Sequence, residues 1–219
     1  MNIIKTRILG SNYAGLFGIT NDNLCFLPPN TEEKTLKEIE KTLEVKAVKT
    51  TIYSSPLLAA FAKMNNKYAY VPKYIQPKEL ETIEKEIKTK IIQTENALGN
   101  MIELNDKGAI ISQLIPKKIC EEIKKTGLQT TQMNIEKITV VGSCLVATNR
   151  GFLISPNANM NEAQQIEKTL EVKGGSSTAN TGDYFIRNSI LANTKGIILG
   201  ENTTPHEINR IEEALTGEA

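Results

Sequence analysis

The eleven residues Met101–Ile111, MIELNDKGAII, place two short apolar runs, Met101–Leu104 and Ala109–Ile111, on either side of Asn105-Asp106-Lys107-Gly108. Asx–Gly turn chemistry between β-prone runs is the signature of a hairpin. The signature recurs along the chain: TNDNLCFLPP (20–29), MNNKYAYVPK (64–73), TNRGFLISPN (148–157) and NTKGIILGEN (193–202) each run from a polar turn through an apolar run to a Pro, Gly or polar break. Aligned on Leu24, Tyr68, Gly108, Gly151 and Gly196, the copies are 44, 40, 43 and 45 residues apart. A repeat of this period determines the whole architecture, and five copies fill the chain.

Working outward from the hairpin, each copy continues into a helix with start signals: Thr31 ahead of Glu32-Glu33, Pro77 after Gln76, Pro116 after Ile115, Asn161 before Glu162, and the capping box Thr204-Pro205-His206-Glu207. One apolar stripe marks each helix: Leu36, Ile39 and Leu43; Leu80, Ile83 and Ile87; Ile119 and Ile123; Ile166 and Leu170; Ile208, Ile211 and Leu215. Helices with a single apolar stripe lie on a sheet surface. A β-prone segment follows each of the first four helices, as in Val45–Ile52, Thr89–Thr94 and Ile138–Val141. The fifth helix ends the chain, and Ile3–Leu9, an apolar segment with no helix of its own, can supply its missing strand. The sequence therefore predicts a closed α/β propeller of five ββαβ-like units with pseudo-five-fold symmetry, a single domain over 1–219 closed by its N-terminal strand, with few free sheet edges.

Composition narrows the function classes. The 219 residues carry 26 basic and 25 acidic side chains, a formal net charge of +1, which is far from the basic excess of a general nucleic-acid binder. The arginines are only Arg7, Arg150, Arg187 and Arg210, a histidine occurs once, tryptophan is absent and aromatics make up 5%. This leaves little for DNA recognition, base stacking or general acid–base work. No apolar run is long enough to span a membrane and the N-terminus lacks an apolar signal core, so a cytoplasmic protein without membrane contact is expected. Cys25, Cys120 and Cys144, odd in number and widely spaced, suggest reduced thiols with no disulfide framework and no metal site. A protein-binding module fits this composition, and a ring of five units that closes on itself, none with a catalytic set, is expected to be a monomer without cofactor.

Particular stretches carry a resemblance to a known family: Ser11-Asn12-Tyr13, Asn96-Ala97-Leu98-Gly99-Asn100 followed by Leu104-Asn105-Asp106-Lys107-Gly108, Val141-Gly142-Ser143, and Asn202-Thr203-Thr204 before Glu207. Together they resemble archaeal translation initiation factor six, the ribosome anti-association factors, over essentially the whole chain. The resemblance implies the pentein fold. It also implies binding to the intersubunit face of the large ribosomal subunit, chiefly through a ribosomal protein and beside the sarcin–ricin rRNA loop, so that small-subunit joining is blocked, and a part in large-subunit maturation. Eukaryotic relatives carry a C-terminal tail, whereas this sequence stops at Ala219, so regulation through such a tail does not carry over.

Eight positions before each repeat anchor lie Leu16, Ala60, Asn100, Ser143 and Asn188, where each unit's first strand is expected to begin. The preceding residues are small in four units, Gly15, Ala59, Gly99 and Gly142, which suits strands crowding near an axis. These five positions are the candidate partner contacts. Asn100 leads, because the resemblance puts the matching asparagine at the family's ribosomal-protein contact. The pentein fold also serves enzymes acting on guanidino groups with a Cys nucleophile, a His and carboxylates, which makes Cys144, at an expected strand start, the only candidate nucleophile of a rival reading. Against it, those enzymes place their cysteine near the C-terminus, and His206 falls in the first turn of the last helix. The lysine runs 34–41, 85–90 and 117–125 alternate with glutamates as solvated helix faces do, and Gly174-Gly175-Ser176-Ser177 reads as a loop within the fourth unit.

Overall fold

The side chains of Asn21, Asn65, Asn105 and Asn193 fold the hairpins. Asn21 Oδ1 accepts from the amides of Asn23 and Leu24 at 2.8 Å each, and the other three repeat the geometry. Thr148 does the same with its hydroxyl, accepting from Arg150 and Gly151 at 3.1 Å. Such local side-chain-to-backbone bonds reverse the chain at a fixed offset. The result, in the computed structural model of the chain, which describes residues 1–218, is five three-stranded sheets.

In each sheet a short inner strand pairs antiparallel with a middle strand, which pairs parallel with an outer one; Ile102–Leu104, Gly108–Ile111 and Gln129–Gln132 form the third. Five helices, Glu33–Leu43, Pro77–Glu84, Lys117–Lys124, Met160–Leu170 and Pro205–Thr216, cover the sheets. Their apolar stripes are buried against the strands, with Leu80 and Ile208 half-buried and Ile87 just past its helix end. Each hydrophobic cluster draws on two neighbouring units, as Phe26 and Leu58 do in one and Phe26's neighbour Leu27 and Leu191 do in another. The architecture is the five-fold pseudo-symmetric α/β propeller expected from the repeat. The last sheet is completed by the first strand, Asn2–Thr6, which runs parallel to Gly196–Gly200 in register from Asn2 opposite Gly196 to Thr6 opposite Gly200.

Several local expectations are corrected. The third outer strand is Gln129–Gln132, not Ile138–Val141; Ile138 instead bridges to Ile135 and Val141 opens a helical turn. An outer strand needs no apolar run when its face is half solvated, so this polar segment carries no sequence signal. Gly174–Ser176 is the fourth outer strand rather than a loop. A Cβ on Gly174 would stand 2.2 Å from the Phe152 carbonyl and 2.5 Å from its ring, so glycine permits the pairing. The fourth helix is capped by Asn159, which accepts from Glu162 N at 3.0 Å, and not by Asn161, which lies inside the first turn. The first helix begins after Glu32 rather than after Thr31.

Candidate functional site

All five candidate positions meet at one end of the propeller axis, though not at strand starts. Leu16, Ala60, Asn100 and Ser143 lie in one-turn helices, Ala14–Phe17, Leu58–Phe61, Leu98–Met101 and Val141–Cys144, and Asn188 closes the 3₁₀ turn Ile186–Asn188. Each turn feeds an inner strand. The small residues explain the substitution of helix for strand: a Cβ on Gly99 would be 2.0 Å from the Ala59 carbonyl, and one on Gly142 2.2 Å from the Gly99 carbonyl, so successive turns stack backbone on backbone. Leu16, Asn100 and Asn188 are half-buried, whereas Ala60 and Ser143 are buried at 9% and 6% exposure, which leaves the first three as the accessible members of the ring.

The sequence did not mark the residues that precede these turns as partner contacts. Tyr13, Leu57, Ala97, Val140 and Phe185 occupy the helix N-cap positions, where polar residues are usual, and none makes a side-chain cap bond. Tyr13 and neighbouring Tyr184 are exposed. Across the five turns and these caps the one charged residue is Arg187, and it is buried. The ring of turns and caps is therefore uncharged and largely apolar, with the Asn100 and Asn188 amides in it, a composition that suits a protein partner.

Arg187 stands where the other units have Gly15, Ala59, Gly99 and Gly142. Its guanidinium donates to the carbonyls of Gly15 at 2.6 Å and Gly18 at 3.1 Å in the adjoining first unit and of Ile190 at 2.7 Å in its own. Deeper in, Lys63 Nζ is ion-paired with Glu103 and reaches the Gly142 carbonyl at 3.4 Å. Burial pushes the Lys63 amine and the Arg187 guanidinium below their ordinary values, with Glu103 opposing the shift of each. The three line a cavity of about 30 Å³ and close the axis to anything larger than water. A charged residue inside the apolar run Met101–Leu104 was the one sequence signal for this plug.

The opposite end is polar. Asn193 Nδ2 donates to Asn21 O, Asn21 to Asn65 O, Asn65 to Asn105 O and Asn105 to Thr148 O, at 2.9–3.1 Å, linking the units round the axis. Outside them, the amides of Asn66 and Asn149 each donate to both Asp22 and Asp106, at 2.7–3.1 Å. The carboxylates are thus satisfied by the chain itself. Lys67, Lys107 and Arg150 are exposed around this cluster, with Lys195 half-buried beside them.

Cys25, Cys120 and Cys144 are free thiols and all three are buried. Cys144 ends its helical turn fully buried, and burial, aided by Asp183, pushes its thiol up to about 12; burial does the same for Cys25. A thiol in that state is a poor nucleophile. His206 is exposed on the first turn of the last helix. Among the described residues no group of three or more His, Cys, Asp or Glu side chains is placed to hold a metal ion, and no helix is long and apolar enough to cross a membrane.

A sequence profile of the eIF-6 family matches residues 3–214, from the first strand to the last helix. The chain belongs to the eIF-6 family. Among its relatives, Translation initiation factor 6 of Thermoplasma acidophilum is 32% identical over 215 residues, covering 98% of this chain and all of the relative. The proteins of the same name from Pyrococcus horikoshii and Sulfolobus acidocaldarius are 31% and 29% identical, over 98% and 99% of this chain. A solved structure of a dimethylarginine dimethylaminohydrolase adduct with S-methyl-L-thiocitrulline overlays with a TM-score of 0.48 and 8% identity, covering 93% of this chain and 73% of that one. This eIF-6 family member thus matches the named initiation factors over their full length, and the resemblance drawn from Asn96–Asn100 and its hairpin holds.

Proposed function

We propose that the protein is a cytoplasmic ribosome anti-association factor. It binds the intersubunit face of the large ribosomal subunit, through a ribosomal protein and beside the sarcin–ricin rRNA, and sterically prevents the small subunit from joining, which also fits a part in large-subunit maturation. It acts as a single-domain monomer, with no chemistry and no cofactor of its own. The observation that carries this reading is the convergence of Leu16, Asn100 and Asn188, within an uncharged ring of apolar caps, at one end of a chain whose relatives are named as initiation factors. A near-neutral chain with an uncharged ring at the centre of this end favours a contact dominated by protein; an RNA-dominated one would call for clustered basic residues and a steep salt dependence. The buried thiols and exposed histidine speak against the guanidino-enzyme alternative through Cys144.

Co-sedimentation with purified large and small subunits is the test. Wild type is expected to pellet with the large subunit alone, and Asn100→Glu to bind at least about tenfold more weakly, because an unpaired charge at an interface centre is poorly tolerated. Wild type that pellets with neither subunit, or that hydrolyses a guanidino substrate, overturns the reading; equal binding by the variant moves the contact away from Asn100.

A further inference from the structure

Each crossover between units passes under the N-terminus of the next long helix, and in three units a glutamate at the third helical position holds it there. Glu79 accepts from the amides of Tyr53 at 3.0 Å, Ser54 at 2.7 Å and its own N-cap residue Gln76 at 3.1 Å. Glu207 accepts from Thr181 at 3.2 Å, Gly182 at 2.9 Å and its N-cap Thr204 at 2.8 Å. Glu162 accepts from Glu136 at 2.6 Å and its N-cap Asn159 at 2.9 Å. The amides are presented by left-handed residues, among them Tyr53, Ser54, Glu136 and Thr181. Consecutive amides turned to one side by left-handed backbone form an anion-binding concavity. In the third unit the position is Ile119, buried in the core, and the crossover 93–96 has no left-handed residue.

The first unit keeps the concavity and lacks the glutamate. Leu9 and Gly10 are left-handed, at φ 52° and 77°, but the third helical position is Thr35, too short to reach them. Among the described residues the amides of Leu9, Gly10 and the N-cap residue Glu32 have no hydrogen-bond acceptor. These are the counterparts of the amides that hold Glu79. The space the missing side chain would occupy is a cavity of about 450 Å³, lined by these residues together with Lys5, Arg7, Thr31 and Glu201. A second observation points to an absent ligand. Thr31 is only 3% exposed and its hydroxyl has no partner among the described residues, whereas the equivalent Thr203 in the fifth unit accepts from Asn180 N at 3.2 Å. A buried hydroxyl without a partner is costly.

We infer that this cavity is a binding site for a carboxylate, which supplies from outside the group that Glu79, Glu162 and Glu207 supply from within. The donors are the Leu9, Gly10 and Glu32 amides and the Thr31 hydroxyl, at the N-terminus of an eleven-residue helix whose dipole favours an anion. The wall charges set the ligand's charge. Lys5 and Arg7 share the wall with Glu32 and Glu201, Lys5 Nζ donates to the Thr203 carbonyl at 3.4 Å and Arg7 Nε is 2.5 Å from Glu201, so the balance accommodates a monoanion better than a phosphate dianion. The cavity opens at the same end of the propeller as the one-turn helices, since the strand Asn2–Thr6 runs toward that end. The carboxylate can be a free small acid or an acidic side chain of a docked protein; only the second source draws on the proposed function.

The test is two-dimensional amide NMR of the whole chain, titrated with sodium acetate against sodium chloride at equal ionic strength. Saturable shifts centred on Leu9, Gly10 and Glu32 are expected. In Thr35→Glu the same amides should be shifted before any acetate is added and respond at least tenfold more weakly, since a tethered carboxylate acts at an effective concentration of the order of millimolar or above. Thr31→Val provides a second reading: it should fold as wild type does and bind acetate about threefold or more weakly. A blocked peptide with one glutamate that outcompetes acetate, while its glutamine analogue does not, assigns the site to an acidic side chain; a peptide no better than acetate assigns it to a free acid. Absence of a localised saturable shift, tighter binding of inorganic phosphate than of acetate, or a wild-type response in Thr35→Glu each overturns the inference, whatever the outcome of subunit sedimentation.

Discussion

The guanidinium of Arg187 in the fifth unit lies 2.6 Å from the carbonyl of Gly15 in the first, across the join between the two ends of the chain. One side chain thereby satisfies three backbone carbonyls on two units that are far apart in sequence. Arg187→Met keeps the volume and leaves those carbonyls unpaired, at about 1–3 kcal/mol for each buried group. A loss of roughly 3–5 kcal/mol is expected as a lower urea midpoint at unchanged m-value. Arg187→Lys should recover only part of it, because an ammonium cannot reproduce the planar fork. A midpoint for Arg187→Met within error of wild type would show the plug to be dispensable.

Neighbouring positions in one helical turn are expected to behave oppositely. Gly99→Ala drives a Cβ into the Ala59 carbonyl, backbone against backbone, and should cost at least about 1–3 kcal/mol as an overpacked site does. At about 2–4 °C per kcal/mol for a chain of this size, calorimetry should record a fall of several degrees. Asn100→Glu, half-buried at the rim of the same turn, should melt within about 2 °C of wild type. An equal fall in both would make Asn100 a structural residue.

Acid stability should report on the polar end. Burial would raise the Asp22 carboxyl, but hydrogen bonds from Asn66, Thr194 and Asn149 outweigh it and hold the group below its ordinary value of 3.8. A carboxylate with a depressed folded pKa contributes stability that is complete above its unfolded pKa and lost as pH falls through the folded one. Urea midpoints of wild type should therefore decline below about pH 4, and Asp22→Asn should be less stable at pH 7 and decline less steeply over that acid range. Parallel pH profiles for the two proteins would remove Asp22 from the account.

Deleting Met1–Thr6 removes five parallel strand pairings, the half-buried Ile3 and Ile4, and the ion pair of the N-terminal amine with Glu212 at 2.9 Å. At about 1.5–3 kcal/mol per fully buried side chain, two half-buried isoleucines and a bared sheet edge amount to roughly 2–4 kcal/mol. Hydrogen exchange should then accelerate in the first unit as well as the fifth, because Ile4 packs with Leu27 and Leu43 and Ile3 with Ile197. Faster exchange confined to Gly196–Gly200 would mean that the end frays without consequence for its neighbours.

The hairpins and helices were legible because their signals are local: Asn105 bonds the amides of Lys107 and Gly108, and Thr204 exchanges bonds with Glu207, all within a few residues. Gln129–Gln132 and Gly174–Ser176 were missed because their strand character is imposed by the partner, Gly108–Ile111 in one case and Phe152–Ile154 in the other. The candidate ring was found by counting from the anchors, which gave the positions but not their conformation; that depends on how closely adjacent units approach at Gly99 and Gly142. Nothing local in the sequence marks Arg187 and Lys63 as buried, since what buries them is the meeting of units 40 or more residues apart. The cavity beside Leu9 has no local signal either, because it is defined by a glutamate that three other units carry and the first replaces with Thr35.

The pairing of Asn2–Thr6 with Gly196–Gly200 also sets an order of events during synthesis. The first strand is made 194 residues before its partner, counting from Asn2 to Gly196. At about 5–20 residues per second the delay between them is roughly 10–40 s. Throughout that interval the nascent chain carries an unmatched segment, with Ile3 and Ile4 uncovered and Lys5 as the charge that keeps it from pairing elsewhere. Closure waits for the later of the two strands, so the ring cannot shut until Gly196–Gly200 has been made.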